Sequence, residues 1–249
     1  MLNDFYEIIR NERRQLLNLL RSTRFNQLAD GIFHEQIIPF ATYAPWQNDQ
    51  EFLQTYNAIK EFTLVDKYRC YELWDLAKQV SLLSGHMIEI GVWKGGTGAL
   101  ISKAAELSGG GEVFLCDTFV GVIKAGDKDT FYKGGEHKDT SIEIVNGLLE
   151  SLYVTNAIIL RGIFPEDFKI QMENRAFKFC HIDVDTYGSA KDIFEFIWPR
   201  LVVGGVVVFD DYGFHSVEGI TRLFNEINVG NGFKIYNLNG HGIITKNSL

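Results

Sequence analysis

Cysteine is scarce: Cys70, Cys116 and Cys180 are the only three in 249 residues, far apart and without metal-ligand spacing. That excludes a disulfide scaffold and a zinc ribbon, and it fits a reducing, cytoplasmic setting. Cys116 and Cys180 fall inside apolar runs, where a small buried hydrophobe is the expected role. No apolar run reaches the length that spans a bilayer, and the N-terminus lacks a signal-peptide core, so no membrane partner is expected. Positive charge is also short. With 24 Lys+Arg against 32 Asp+Glu the formal charge is −8, which argues against nucleic-acid binding as the main function. Repeats and low-complexity linkers are missing as well. What remains, at 46% hydrophobic and 22% charged residues, suits one large soluble α/β domain.

Residues 1–85 read as a helical extension that would carry acceptor or oligomer contacts, and a homo-oligomer is expected. The spacing of Leu2, Phe5, Ile9, Leu16 and Leu20 predicts an amphipathic helix over 2–24. Pro39 and Pro45 interrupt residues 31–46, and two further helices are predicted at 48–60 and 66–83. From His86 the texture alternates. Strands are predicted at 86–91, 112–117, 156–162, 177–182 and 201–209, with helices between them and at 217–227, and a closing hairpin at 233–238 and 242–246. This order over 86–249 predicts an open, doubly wound, seven-stranded Rossmann-like sheet with a C-terminal antiparallel hairpin. Residues 118–141, rich in Gly, Lys and Asp, are expected to form a lid or binding loop.

The organising stretch is 177–213. One strand runs into Asp183 and Asp185, the next into Asp210 and Asp211, and a right-handed crossover brings both ends to the carboxyl edge of the sheet. Carboxylates gathered there repel one another unless a proton or cation intervenes, and Mg²⁺ is the economical cation. The first strand and its turn read Glu89-Ile-Gly91-Val-Trp-Lys-Gly95-Gly96-Thr97. The turn lacks the GK[ST] of a phosphate loop and the G-x-G-x-x-G of dinucleotide folds. Glu89 would repel a pyrophosphate but pair with an ammonium group. Asp117, ending the second strand, is placed to accept from both hydroxyls of a ribose. A ribose and a positive amino-acid end without phosphates describe S-adenosylmethionine.

With these blocks in view, the sequence resembles the macrocin O-methyltransferase family of class I methyltransferases. The matching segments are LVDKYRCYELW (64–74), IEIGVWKGGTGALI (88–101), CDTFVGV (116–122), RGIFPEDF (161–168), HIDVDTYGSAKD (181–192) and PRLVVGGVVVFDDYG (199–213). The resemblance implies Mg²⁺-dependent methyl transfer from S-adenosylmethionine to a hydroxyl of a sugar or glycosylated small molecule. It makes Asp183, Asp210 and Asp211 the metal ligands. Glu89, Gly91, Asp117 and Phe119 would line the cofactor site, with Gly162 and Ile163 near the adenine. Val92, Gly95 and Thr97 of the glycine turn, and Thr118, join that set. Catechol O-methyltransferases are similar but typically carry Asp-Asn where this chain has Asp210–Asp211, and a lysine where it has Thr186.

Asp183 is the first candidate for the base that takes the hydroxyl proton, and Asp185 is the alternative, although strand alternation would turn it away. His181 reads as a satisfied core histidine, with a supporting or basic role as the other option. His215 is a candidate to face the acceptor. His137, Lys133 and Lys138 could meet an anionic acceptor from the loop, and Tyr187 and Tyr212 could stack on a sugar or simply pack. Competing readings are a catechol, other hydroxylated or phosphorylated acceptor, a metal-dependent hydrolase and a non-catalytic scaffold.

Overall fold

The computed structural model describes residues 2–22, 31–34, 37 and 41–248. Two compact units divide the chain, Met1–Ala44 and Pro45–Leu249. The first contains α1 (Leu2–Ser22), on which Ile9, Leu16 and Leu20 of the expected stripe are exposed. The side chains of Leu2 and Phe5, together with residues 23–24 and Pro39, lie outside what is described.

The second unit starts well before the boundary expected at 85/86. Helices α2 (Gln50–Ile59) and α3 (Lys67–Val80) belong to it, each started by an aspartate whose side chain accepts from free N–H groups of the first turn. Asp49 accepts from Phe52, and Asp66 from Tyr68 and Arg69. Seven strands follow: β1 (His86–Ile90), β2 (Val113–Asp117), β3 (Ala157–Arg161), β4 (Phe177–Ile182), β5 (Leu201–Phe209), β6 (Gly232–Tyr236) and β7 (Gly242–Lys246). Their order is β3-β2-β1-β4-β5-β7-β6. Strands β1 to β5 are parallel, and β7 runs antiparallel between β5 and β6, so the expected hairpin is present. Helices α4 (Gly96–Leu107), α5 (Ile142–Ser151), α6 (Lys169–Met172), α7 (Tyr187–Ile197) and α8 (Glu218–Glu226) make the connections. The strand order reverses between β1 and β4, which places a ligand crevice at their carboxyl ends.

Strand alternation divides the interior into two cores. Ile88, Phe114, Cys180, Val207 and Phe209 pack with α7 and α8 through Ile193, Ile197 and Phe224. Met87, Leu115, Phe179, Val208 and Ile243 pack with α2, α3, α4 and α5 through Phe52, Trp74, Leu100 and Val145. Glu89 shares its face with Met87, His181 with Phe179, Asp210 with Val208 and His241 with Ile243. Strands β1 and β4, and the chain just after β5 and just before β7, thus each bring one polar residue to the side covered by α3 and α4.

The segment 118–141 has no helix or strand but is bonded to the body along its length. Asp129 is buried and accepts from Tyr187 N at 2.9 Å, which caps α7 from outside because Thr186 makes no side-chain cap bond. Thr186 Oγ1 donates to the Ile123 carbonyl at 2.9 Å, and Trp93 Nε1 donates to Asp139 Oδ1 at 2.9 Å.

Candidate active site

A cleft of about 310 Å³ opens at the carboxyl ends of β1, β2, β4 and β5. Its floor is the turn after β1. Gly91 has φ +91°, and a Cβ there would stand 1.6 Å from the Asp183 carbonyl oxygen, so only glycine lets the two strand ends pass. The next two amides, of Val92 and Trp93, both donate to Asp117 Oδ2 at 2.8 Å. Phe119 N donates to Asp117 Oδ1 at 2.6 Å. Asp117 thus ties the glycine turn to the end of β2, and Oδ1 keeps capacity for a further donor.

Of the expected cofactor residues, Gly91, Val92, Thr97, Asp117, Thr118 and Gly162 line the cleft. Glu89, Gly95, Phe119 and Ile163 are not in its wall, each for a local reason. Glu89 is fully buried, with Oε1 2.8 Å from His181 Nδ1 and Oε2 without a hydrogen-bond partner. Gly95 packs on α5, where a Cβ would meet Val145 at 3.0 Å. Phe119, at φ +56°, packs against the α2–α5 core. Ile163 N is bound by Asp167 Oδ2 at 2.7 Å.

The acids sort differently from the expected trio. Asp183, Asp185 and Asp211 bring carboxylate oxygens within 4.8 Å of one another. Asp185 joins them because β4 has already ended at Ile182 and its φ of +62° breaks the alternation that would have turned it away. Asp210 also lines the cleft, but its carboxylate is already held by partners. Arg69 Nη1 donates to Asp210 Oδ2 at 2.7 Å and to Asp211 Oδ1 at 2.9 Å, while its Nε donates to Asp66 Oδ2 at 2.9 Å. His241 Nε2 lies 2.9 Å from Asp210 Oδ1, and His241 Nδ1 meets Glu72 Oε2.

Charge follows this sorting. Burial pushes Asp183, Asp185 and Asp211 above the usual carboxylate range, and the Asp210 charge pushes Asp183 and Asp211 further. Burial acts the same way on Asp210, but Arg69, His181 and His241 outweigh it and hold that carboxyl well below the usual range. Burial alone would lower His181, yet Asp210 and Glu89 raise it to about 10. Three acids therefore share a site that favours a proton or a cation, and the fourth already has its cation in Arg69.

From the loop, Tyr132 and His137 reach the cleft, with the tyrosine oxygen 3.3 Å from His137 Nε2 and that nitrogen 3.9 Å from Asp185 Oδ2. Lys133 and Lys138 are exposed. His215 is exposed and outside the cleft wall, where its neighbours Phe214 and Ser216 appear instead. Tyr187 and Tyr212 pack: the first hydrogen-bonds Glu226 at 2.6 Å under Lys128, and the second meets Phe224 at a tilt of 56° with ring centroids 4.6 Å apart. His181 is satisfied at one nitrogen only, since its Nε2 has no partner.

Arg69, Glu72 and His241 carry roles that the sequence reading did not assign. One signal was available. On α3 the buried residues Arg69, Leu73, Ala77 and Cys70, Trp74 form one stripe, so an arginine occupies an otherwise apolar face.

The model of the macrocin O-methyltransferase (TylF) family matches residues 42–232. The chain belongs to that family. It is accordingly an S-adenosylmethionine-dependent O-methyltransferase, and the hydrolase and scaffold readings fall away. No curated protein sequence matches the chain. Among solved structures it is similar to the O-methyltransferase NovP, with TM-score 0.66 and 19% identity over 75% of this chain and 83% of that one. It is also similar to CalS11, a calicheamicin methyltransferase, with TM-score 0.62 and 14% identity over 83% and 95% of the two chains. TomG from Streptomyces achromogenes, an O-methyltransferase solved with S-adenosylmethionine, gives TM-score 0.51 and 14% identity over 81% and 91%. At these identities the likeness establishes the shared fold. No helix among the described residues is long and apolar enough to cross a membrane.

Proposed function

We propose that this methyltransferase acts on a hydroxyl of a sugar or glycosylated small molecule and that it uses a divalent cation, Mg²⁺ being the natural choice. The observation that carries this reading is the meeting, in one cleft, of the Asp117-anchored glycine turn and the Asp183–Asp185–Asp211 group. CalS11, described in a second structure as a TDP-rhamnose 3'-O-methyltransferase, makes a sugar nucleotide a sensible first acceptor.

The residues suit both bound groups. Asp117 Oδ1 has spare acceptor capacity for ribose hydroxyls, and three crowded carboxylates with raised proton affinity are a donor set for a hard dication. S-adenosylmethionine supplies a methyl group on a sulfonium sulfur, and the cation supplies Lewis acidity at the acceptor oxygen. Asp183 and Asp211 would hold the cation, with Asp210 withdrawn by Arg69 and His241. Asp185, on the side where His137 and Tyr132 close the cleft, would take the hydroxyl proton. Transfer of the methyl group to the acceptor oxygen would leave the hydroxyl proton on Asp185. Gly91, Val92, Thr97, Thr118 and Gly162 would present backbone and small side chains to the cofactor.

Titration calorimetry with S-adenosylmethionine and its demethylated product, with and without Mg²⁺, tests the cofactor half. Mass-spectrometric assay of sugar nucleotides and glycosides tests the acceptor half, and full turnover in excess chelator would remove the cation. The exposed Ile9, Leu16 and Leu20 of α1 support a homo-oligomer, measurable by light scattering.

A further inference from the structure

Behind the cleft, on the α3–α4 face of the sheet, five polar side chains form a line: Glu89, His181, Asp210, His241 and Glu72. None except Asp210 lines the cleft, and His181, His241 and Glu89 are fully buried. Each imidazole meets a glutamate through Nδ1, His181 with Glu89 Oε1 at 2.8 Å and His241 with Glu72 Oε2. Both Nε2 atoms consequently point the same way, toward Asp210 Oδ1, at 3.9 Å for His181 and 2.9 Å for His241.

We propose that His181, Asp210 and His241 form a second metal site, for a transition-metal dication of the Zn²⁺ or Co²⁺ class. Three observations carry it. The two Nε2 atoms and a carboxylate oxygen of Asp210 all lie within 4.8 Å of one another. Bonds of about 2.0–2.2 Å in a tetrahedron place ligands roughly 3.3–3.6 Å apart, between the two Nε2–Oδ1 separations found here. Second, His181 Nε2 is buried, aimed into this space and without a hydrogen-bond partner. Third, a metal-bound histidine characteristically donates its other ring N–H to a carboxylate, and here both do. Charge agrees. Glu72, Glu89 and Asp210 gather here beside one guanidinium, Arg69, which Asp66 and Asp211 also share, so a dication would take the place of the proton that makes His181 cationic in its absence.

Two nitrogens and one oxygen select a borderline metal, whereas Asp183, Asp185 and Asp211 offer oxygen alone, so the two sites differ in metal preference. The ion would join β4, β5 and β7, with α3 supplying Glu72 behind His241, and so fix the side chain of Asp210. Coordination by His181 and His241 releases any Nε2 proton to solvent. The inference does not rest on methyl transfer.

The full-length protein, stripped of metal and then titrated with Zn²⁺ by calorimetry and with Co²⁺ by visible absorption, tests it. One ion per chain is expected, with the d–d spectrum of a mixed nitrogen–oxygen site. His241→Ala should abolish that spectrum, and Glu72→Gln, which keeps both imidazoles, should weaken Zn²⁺ about 10- to 100-fold. Asp183→Asn should leave the affinity within about two-fold. No uptake by the wild type, loss in Asp183→Asn with retention in His241→Ala, or an unchanged affinity in folded Glu72→Gln would each overturn the assignment. If His241→Ala does not fold, the Glu72→Gln and Asp183→Asn pair decides.

Discussion

Replacing Arg69 with methionine removes a cation that three acids share in the interior. Arg69 is 5% exposed, and its guanidinium donates at 2.7 Å to Asp210 and at 2.9 Å to both Asp211 and Asp66. Methionine keeps much of the length and all of the apolar stem contact, so packing loss is small and the charge effect dominates. Removing one partner of a buried ion pair costs about 3–5 kcal/mol, because the other charge stays desolvated and uncompensated. Asp210 is the acid that bears this, being 3% exposed, whereas Asp66 keeps contact with water. The deficit should depend on pH in a defined direction. In the wild type the carboxyl of Asp210 is held below its ordinary value, so the stability it contributes is present above about pH 4 and is lost as pH falls through its folded value. In Arg69→Met burial acts unopposed by that guanidinium, the folded carboxyl binds a proton more readily, and acid relieves the strain. The gap between the proteins should therefore be widest near neutrality and narrow steadily as pH falls below the ordinary carboxylate range. Urea unfolding followed by circular dichroism from neutral to acid pH measures it. A loss under about 1 kcal/mol at pH 7, or a gap flat with pH, would refute the counter-ion argument.

Other outcomes follow from local geometry. In Gly98→Ala the added Cβ meets Glu89 Oε2 at 2.6 Å and Leu115 Cδ2 at 2.8 Å, so thermal and urea unfolding should register a loss of about 1–3 kcal/mol. Asp129→Ala uncaps α7 and releases Gly126 N, which Asp129 Oδ2 holds at 2.9 Å; it should cost about 1–2 kcal/mol and raise KM for the acceptor more than it lowers kcat. Steady-state kinetics with an identified acceptor would separate these, and an unchanged KM would detach the loop from acceptor binding. If Asp185 takes the hydroxyl proton, its protonated form is inactive, so kcat/KM should fall toward acid pH, and Asp185→Asn should lose most of kcat together with that acid limb. An Asp185→Asn variant that kept full kcat would remove Asp185 from the role.

The fold was legible because strand and helix periods, interrupted by glycine turns, leave little freedom in an alternating chain. The strand spans, the terminal hairpin and the helix spans agree with that reading to within a few residues. Gly91, Asp117, Asp183 and Asp211 were legible for a related reason: strand ends in a parallel sheet converge on one edge wherever the loops go. Asp185 was misjudged by extending alternation past the last paired residue, where one left-handed φ reverses a side chain. Glu89 was read as though its face opened on the cleft, while parity with Met87 puts it under α4. The compact units divide at 44/45 and not at 85/86, because Phe52, Leu73 and Trp74 of the helices before the first strand complete one of the two core faces.

Asp210 marks the deeper limit of reading charge from sequence. The repulsion argument treated Asp183, Asp185, Asp210 and Asp211 as one group that requires a cation, and it supplied Mg²⁺ to meet that requirement. The folded chain separates the group. Arg69, 141 positions away along the chain, neutralises Asp210 and leans on Asp211, leaving Asp183, Asp185 and part of Asp211 with their repulsion unrelieved. A spacing rule cannot anticipate this, because the partner enters through helix packing and not through strand order. The consequence is experimental: Arg69→Met should free Asp210 to bind metal and tighten Mn²⁺ binding at the cleft, while the same change made with Asp210→Asn should not. If the single variant binds Mn²⁺ no more tightly than the wild type, Arg69 and the cation do not compete for these acids.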